Sequence, residues 1–275
     1  MTTDFYFPYT GSKRKENVEV EDLVKGAYGS FNKVVEVFGG SLAFSRWMYD
    51  KYGSDLTYLV SDVDADLTTF CNIFPTMKKE VLDDVIEMSA AFMALPMDER
   101  KVQFKAYSKA KILFAESKEK MAWELFMRKN AKMNRMGFLD TTKKKLCVFQ
   151  GYMKKTKTTD EFFQHTEYKC QDFTEYLEQV KDDPEALVYL DPPYLGRNND
   201  WYKSKDLSRI FPYLENWMRT CKCKYILVHC DDPLLRSWCS AMVLENDNPI
   251  KITKIYEKTY SVNPDSVMHL VISNL

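Results

Sequence analysis

The sequence predicts an α/β domain interrupted by a mainly helical, basic insert. Short β-branched apolar runs alternate with helical spacing near the start of the chain and again from Tyr168 onward. Between them, apolar residues recur at helical intervals over Met77–Phe92, Glu99–Phe114 and Glu116–Arg128. The charge is also divided. Arg100 to Lys169 holds 18 basic and 7 acidic residues, a balance of +11, while the rest of the chain carries −12 and the total is only −1.

Each element follows from local pattern. Val34–Phe38 (VVEVF), bounded by Asn32–Lys33 and Gly39–Gly40, reads as a buried strand, and Ser41–Gly53 as a helix stopped by Gly53. Thr57–Asp62 (TYLVSD) is a second strand, so the opening is strand–helix–strand at α/β spacing. The helical stretch follows, with Val81, Val85, Met88 and Phe92 on one face. Beyond Lys145 come a mixed LCVF run and a basic KKTKTT tract. From Tyr168 the α/β pattern resumes with a strand over Glu185–Leu190, a helix over Leu207–Cys221, a strand over Lys224–Cys230 and a short helix over Leu234–Cys239. Ile252–Glu257 and Val267–Ser273 close the chain as a strand pair.

Composition bounds the function. The 275 residues, 45% hydrophobic and 29% charged, fit one large or two small globular domains, and nine Gly with ten Pro exclude collagen-like or linker-rich chains. No apolar run reaches the roughly 18–20 residues of a membrane span, so no membrane role is expected. Lys13, Arg14 and Lys15 lack a following apolar stretch, which speaks against a secretory signal. With seven Cys, the expectation is an intracellular protein, cytoplasmic or nucleoid-associated. Cys221, Cys223, Cys230 and Cys239 with His229 lack paired CxxC knuckles. They read as buried thiols rather than a zinc site, and no metal is expected. The abundant Met and aromatic residues read as packing of the helical insert.

The sharpest motif is Asp191-Pro192-Pro193-Tyr194, directly after the strand ending at Leu190. Ligands of open α/β sheets sit beyond the carboxyl ends of strands. The two prolines fix φ and remove two N–H donors, so the loop presents acceptors. Asp191 adds a carboxylate and Tyr194 a flat ring. Such a loop suits an aromatic base bearing an amino group: two acceptors take its N–H hydrogens and Tyr194 stacks on the ring, at about 1–3 kcal/mol per base. The other reading is a strand-ending proline turn with a buried Tyr.

This tetrapeptide, with the order of the segments around it, resembles the Dam-like DNA adenine methyltransferases, the S-adenosylmethionine-dependent DPPY class. The resemblance implies a Rossmann-like methyltransferase sheet from residues 1–72 and 165–275, with a target-recognition, DNA-binding domain at 73–164. Pro8–Glu16 is similar to the family's N-terminal cofactor motif and points to Tyr9, Gly11 and Lys13. Val34–Phe44 resembles its glycine-containing cofactor loop, with Glu36, Phe38 and Gly40 on the pattern and Leu42 where the family usually has a second glycine. Asp62 matches the carboxylate that holds the ribose hydroxyls, 22 residues after Gly40. Either Asp62 or Asp64 could instead cap the next helix. Tyr168–Leu177 resembles the segment supplying an Asp to the cofactor's adenine, here Asp172, which could equally cap a helix. Asp231 and Asp232 border the base pocket on this reading, or cap the helix after them.

A base inside a duplex cannot reach such a loop, so the resemblance implies a flipped adenine in double-stranded DNA. Within the basic segment, Arg128, Lys129, Asn130, Lys132, Asn134 and Arg135 interleave cations with amides, the residue types that hold phosphates and read base edges. Lys143–Lys145, Lys154, Lys155 and Lys157 read as phosphate contacts. The implied reaction is methyl transfer to the exocyclic amine of adenine, with Asp191, Pro192, Pro193 and Tyr194 as catalytic residues. It needs no covalent enzyme intermediate: no Cys follows a Pro, as cytosine C5 enzymes require. RNA or the cytosine exocyclic amine as substrate, or a silent nucleic-acid-binding homologue, are the alternatives.

Overall fold

A computed structural model describes residues 5, 6, 9, 16–109, 121, 122, 125, 126, 139, 156–195, 206–240, 250–259 and 266–275. The chain divides into two compact units. One comprises Met1–Ser12 and Asp64–Tyr168, the other Lys13–Val63 and Lys169–Leu275. The expected recognition segment, residues 73–164, lies within the first.

The second unit is built on a seven-stranded sheet. Its strands are β1 (Lys33–Glu36), β2 (Thr57–Asp62), β3 (Tyr168–Cys170), β4 (Ala186–Leu190), β5 (Lys224–Cys230), β6 (Lys251–Thr259) and β7 (Ser266–Ser273), in the order β3-β2-β1-β4-β5-β7-β6. β1 pairs in parallel with both β2 and β4, and β4 with β5. β7 runs antiparallel to β5 and β6. This is the mixed, mainly parallel Rossmann-like sheet the sequence predicts, with the closing hairpin at its edge. β1 is shorter than VVEVF because the chain turns away after Glu36, and the Gly39 N–H bonds to the Ser61 carbonyl at 3.0 Å.

Four helices of this unit follow the crossovers, and α1 (Glu16–Ala27) precedes them. They are α2 (Ala43–Tyr52), α6 (Phe173–Val180), α7 (Leu207–Thr220) and α8 (Pro233–Ser240), with α3 to α5 belonging to the first unit. Strand alternation sends Val35, Val188, Leu190 and Leu227 to one face, where they pack on Phe173, Leu177, Leu214 and Trp217. The buried Trp217 indole also donates to the Leu177 carbonyl at 3.0 Å, so α6 and α7 are joined by a polar bond inside an apolar layer. On the opposite face Phe44 of α2 stacks flat on Tyr189, 4.2 Å between centroids.

In the first unit, α3 (Ala65–Ala94), α4 (Met97–Lys109) and α5 (Lys157–His165) are helical. α3 starts at Ala65, well before the expected Met77. Asp64 caps it, accepting from the Asp66 and Leu67 N–H groups at 3.1 and 3.3 Å. Pro75 lies inside the helix and lowers its local propensity. Leu67, Phe70, Cys71, Phe74, Val81 and Val85 nevertheless form one buried stripe across it, and that packing outweighs the missing backbone bond. Tyr6 packs edge-on against Phe74 at 4.7 Å, beside Phe163 of α5. Of the expected Glu116–Arg128 helix, Met121, Ala122, Leu125 and Phe126 are described; they are helical and buried.

Leu214 is fully buried between α7 and the sheet. Replacing it by alanine is expected to lower the unfolding free energy by about 2–5 kcal/mol, measured by urea denaturation. A loss below about 0.5 kcal/mol would show that this layer is not close-packed.

Candidate active site

The strand order reverses between β1 and β4. From β1 the chain proceeds outward through β2, and β4 begins the opposite progression through β5. Glu36 pairs in register with Tyr189, so residues 37–42 and the Asp191–Tyr194 loop leave the sheet side by side at its carboxyl edge. Such a switch point opens a crevice for a ligand.

The loop after β1 is held by backbone donors. The Gly40 N–H donates to Asp62 Oδ2 at 2.8 Å, and the Leu42 N–H to the Gly39 carbonyl at 2.6 Å. Gly40 has φ +49°, a conformation natural to glycine. Leu42 also has φ +49° and is fully buried. The position where a second glycine was expected therefore keeps the left-handed geometry with a leucine, at a cost of roughly 1–2 kcal/mol. Leu42 is the N-cap of α2 and has no side-chain acceptor to offer. Glu36 serves instead: its Oε2 accepts from the Ser45 N–H at 2.8 Å.

Glu36 is buried. Burial pushes its carboxyl up to about 7; the Ser45 hydrogen bonds and the Arg46 cation oppose the rise, and the Asp191 charge adds to it. Its strand neighbour Tyr189 is driven far above the usual phenol range by burial and by the charges of Asp191, Glu16 and Glu36. Glu16, Glu36 and Asp191 thus form an acidic cluster around Tyr189, with Glu16 and Glu36 buried.

The two readings of the acid pair separate. Asp64 is the helix cap, whereas Asp62 bonds the glycine loop. For Asp172 the cap is observed: its Oδ1 accepts from the Thr174 N–H at 3.1 Å and from the Thr174 hydroxyl at 2.6 Å. Arg209 of α7 holds both its oxygens, at 2.8 and 3.0 Å. Burial would raise the Asp172 carboxyl, but the bonds from Thr174 and Arg209 outweigh it and hold the group below the usual carboxylate range. Phe38 packs on Phe173 at 4.8 Å, and the Arg209 guanidinium lies 5.6 Å from the Phe173 ring centre. The Gln171 N–H donates to the Asp62 carbonyl at 3.0 Å, so Asp62, Gly40, Phe38 and Asp172 lie on neighbouring stretches at this edge of the sheet. Asp231 pairs with Arg236 at 2.6 Å, and Asp232 accepts from the Leu234 N–H at 2.9 Å.

At the end of β4, Pro192 and Pro193 are buried while Asp191 and Tyr194 are half-buried. The Tyr194 ring meets His229 edge-on at 4.8 Å and His269 at 5.6 Å. Tyr9 lies in the first unit, edge-on to Phe5 at 6.2 Å. Gly11, Lys13 and the basic cluster Arg128, Lys129, Asn130, Lys132, Asn134 and Arg135 lie outside the described residues.

The profile of the D12 class N6 adenine-specific DNA methyltransferases matches residues 9–268. The chain belongs to this family. Among curated proteins no match is found. The chain is accordingly an adenine-specific DNA methyltransferase, and its DPPY tetrapeptide occupies the sheet's switch point. No described helix of the methyltransferase is long and apolar enough to cross a membrane, and no three His, Cys, Asp or Glu side chains come together as a metal-binding group among the described residues. Arg209, beside the site, carries no motif and escapes a sequence reading. The sequence brings up His229 only with the cysteines around it; its place in an apolar strand is a weak signal that something in the fold must satisfy it.

Glu36 gains its proton affinity on folding, from an ordinary value of 4.5 to about 7. Its protonated form therefore favours the fold fully below about 4.5, and that contribution is lost as pH rises through 7. The stability of the wild type relative to Glu36→Gln, whose amide oxygen can still accept from Ser45, is expected to decline between these limits in urea unfolding. A pH-independent difference would contradict the burial argument.

Proposed function

We propose that this methyltransferase transfers the methyl group of S-adenosylmethionine to the exocyclic amine of a flipped adenine in double-stranded DNA. The observation that carries the reading is the register of β1 on β4. It sets the glycine loop pinned by Asp62 directly beside Asp191–Tyr194. A donor site and an acceptor site then share one crevice.

The chemistry of the edge fits the cofactor. Asp62 offers a half-buried carboxylate for ribose hydroxyls, Gly40 lets the backbone approach closely, and Phe38 and Asp172 offer a ring face and a carboxylate to an adenine. Tyr9, Gly11, Lys13 and Glu36 complete the proposed cofactor set by their places in the family motifs. When bound, S-adenosylmethionine supplies an electrophilic methyl.

On the acceptor side, Asp191 and the Pro192 carbonyl take the two N–H hydrogens of the adenine amine. This draws the nitrogen lone pair out of ring conjugation toward the methyl. Pro193 stiffens the loop and Tyr194 stacks on the base. The amine would form one nitrogen–carbon bond to the methyl as the sulfur–carbon bond broke with its electron pair left on sulfur, and the surplus amine proton would pass to water. Most of the rate enhancement comes from holding the two reactants in line. The basic segment containing Arg128, Lys129, Asn130, Lys132, Asn134 and Arg135 supplies phosphate and base-edge contacts, on the strength of its +11 balance.

Asp191→Ala is expected to bind S-adenosylmethionine as the wild type does, by calorimetry, while methyl transfer to duplex DNA falls on the order of 10²–10³-fold. Unchanged turnover of labelled methyl would remove Asp191 from the mechanism. Transfer to single-stranded RNA but not to duplex DNA would replace the substrate.

A further inference from the structure

Beside the proposed acceptor loop stands a buried imidazole that the reaction scheme does not use. His229 is the penultimate residue of β5 and is fully buried. Its Nε2 lies 3.1 Å from the Leu195 backbone nitrogen, and its Nδ1 lies 2.7 Å from the Cys230 carbonyl oxygen. A backbone N–H can only donate and a carbonyl can only accept. The two contacts together therefore require one species, the neutral ring with the proton on Nδ1 and the lone pair on Nε2. The ring is clamped further by Phe211 of α7, edge-on at 5.4 Å. Leu195 is the residue after Tyr194, and the Tyr194 ring itself packs edge-on against His229 at 4.8 Å. The imidazole thus holds both the chain leaving the DPPY loop and the aromatic ring that ends it.

We propose that His229 is the positioning residue of the acceptor loop: it fixes Tyr194 in the orientation that receives the target base by accepting the Leu195 N–H. The inference rests on the function proposed above. The other end of the loop is tied to β4, and neither proline has a donor to anchor it. Leu195 supplies the next described N–H after that of Tyr194, and a side chain 34 residues away in sequence takes it.

The test compares three proteins on adenine-unmethylated plasmid DNA with labelled S-adenosylmethionine. His229→Phe keeps the ring volume and removes the acceptor. His229→Gln places an amide oxygen near the position of Nε2. His229→Phe is expected to lower kcat by about 10- to 100-fold, the scale of a small misplacement of a reacting group, with KM for S-adenosylmethionine unchanged. His229→Gln is expected to recover most of that loss. Equal kcat in His229→Phe and wild type overturns the proposal. So does equal impairment of both variants with parallel loss of thermal stability, which marks His229 as a packing residue only. If the wild type itself transfers no methyl to DNA, the functional reading fails instead, and the two failures are thereby distinguished.

Discussion

Everything at the candidate site depends on the parallel pairing of β1 with β4. That register places Glu36 opposite Tyr189 and so decides which loops are neighbours at the carboxyl edge of the sheet. A slip of one residue would exchange the faces of β4. Tyr189 would then leave Phe44 and point toward α6 and α7. The hydrophobic layer of Val35, Val188, Leu190 and Leu227 would break at the same time. The core therefore specifies the geometry of the candidate site. The same alternation that buries valines on one face delivers the acidic cluster to the other.

That cluster is held against two opposing costs. Leu42 adopts a conformation that glycine takes freely, and its side chain leaves the first turn of α2 uncapped. Glu36 supplies the missing acceptor, yet it does so from a buried position where ionisation is disfavoured. The N-terminal turn of a helix favours an anion, but desolvation is the larger effect here, and the carboxyl rises to about 7. Leucine is tolerated because its apolar side chain is fully buried at this position, which offsets part of the backbone strain.

Much of this was legible in the sequence, and the exceptions have physical causes. Thr57–Asp62 and Lys224–Cys230 are read correctly at both ends because turn-forming or charged residues bound each apolar run. α1 goes unread because Val20 and Val24 are its only buried apolar positions, and Glu16 and Asn17 are buried with them. β3 is three residues long, too short to carry a period. Asp62 and Asp172 stand out by their resemblance to cofactor motifs, but a motif alone does not separate a ligand role from a helix cap. Which of two nearby carboxylates caps a helix is decided by the backbone path, and the path is tertiary. Arg209 on Asp172 joins residues 37 apart in sequence, a pairing no local pattern encodes.

The two prolines explain why such a long-range contact is needed at all. On the proposed reaction, a loop that offers acceptors to an amino group must keep its carbonyls out of internal hydrogen bonds. Asp-Pro-Pro achieves this by deleting the donors that would otherwise satisfy them. The same deletion takes two backbone donors out of the loop, so the N–H groups that can anchor its far end begin with Tyr194 and Leu195. Sheet carbonyls nearby are already committed: Asp231, just past β5, donates its N–H to Met268 of β7, and Ile226–Cys230 of β5 pair with His269–Ser273 of β7. An anchor for the far end of the loop must then be a side chain that accepts. It must also be buried enough to be rigid and neutral enough to be buried without a counter-charge. Asp or Glu in that place would add a buried carboxylate to a loop that already carries Asp191, and an amine could only donate. A neutral imidazole with its other nitrogen bonded to a carbonyl meets every condition, and that is the residue standing at the end of β5.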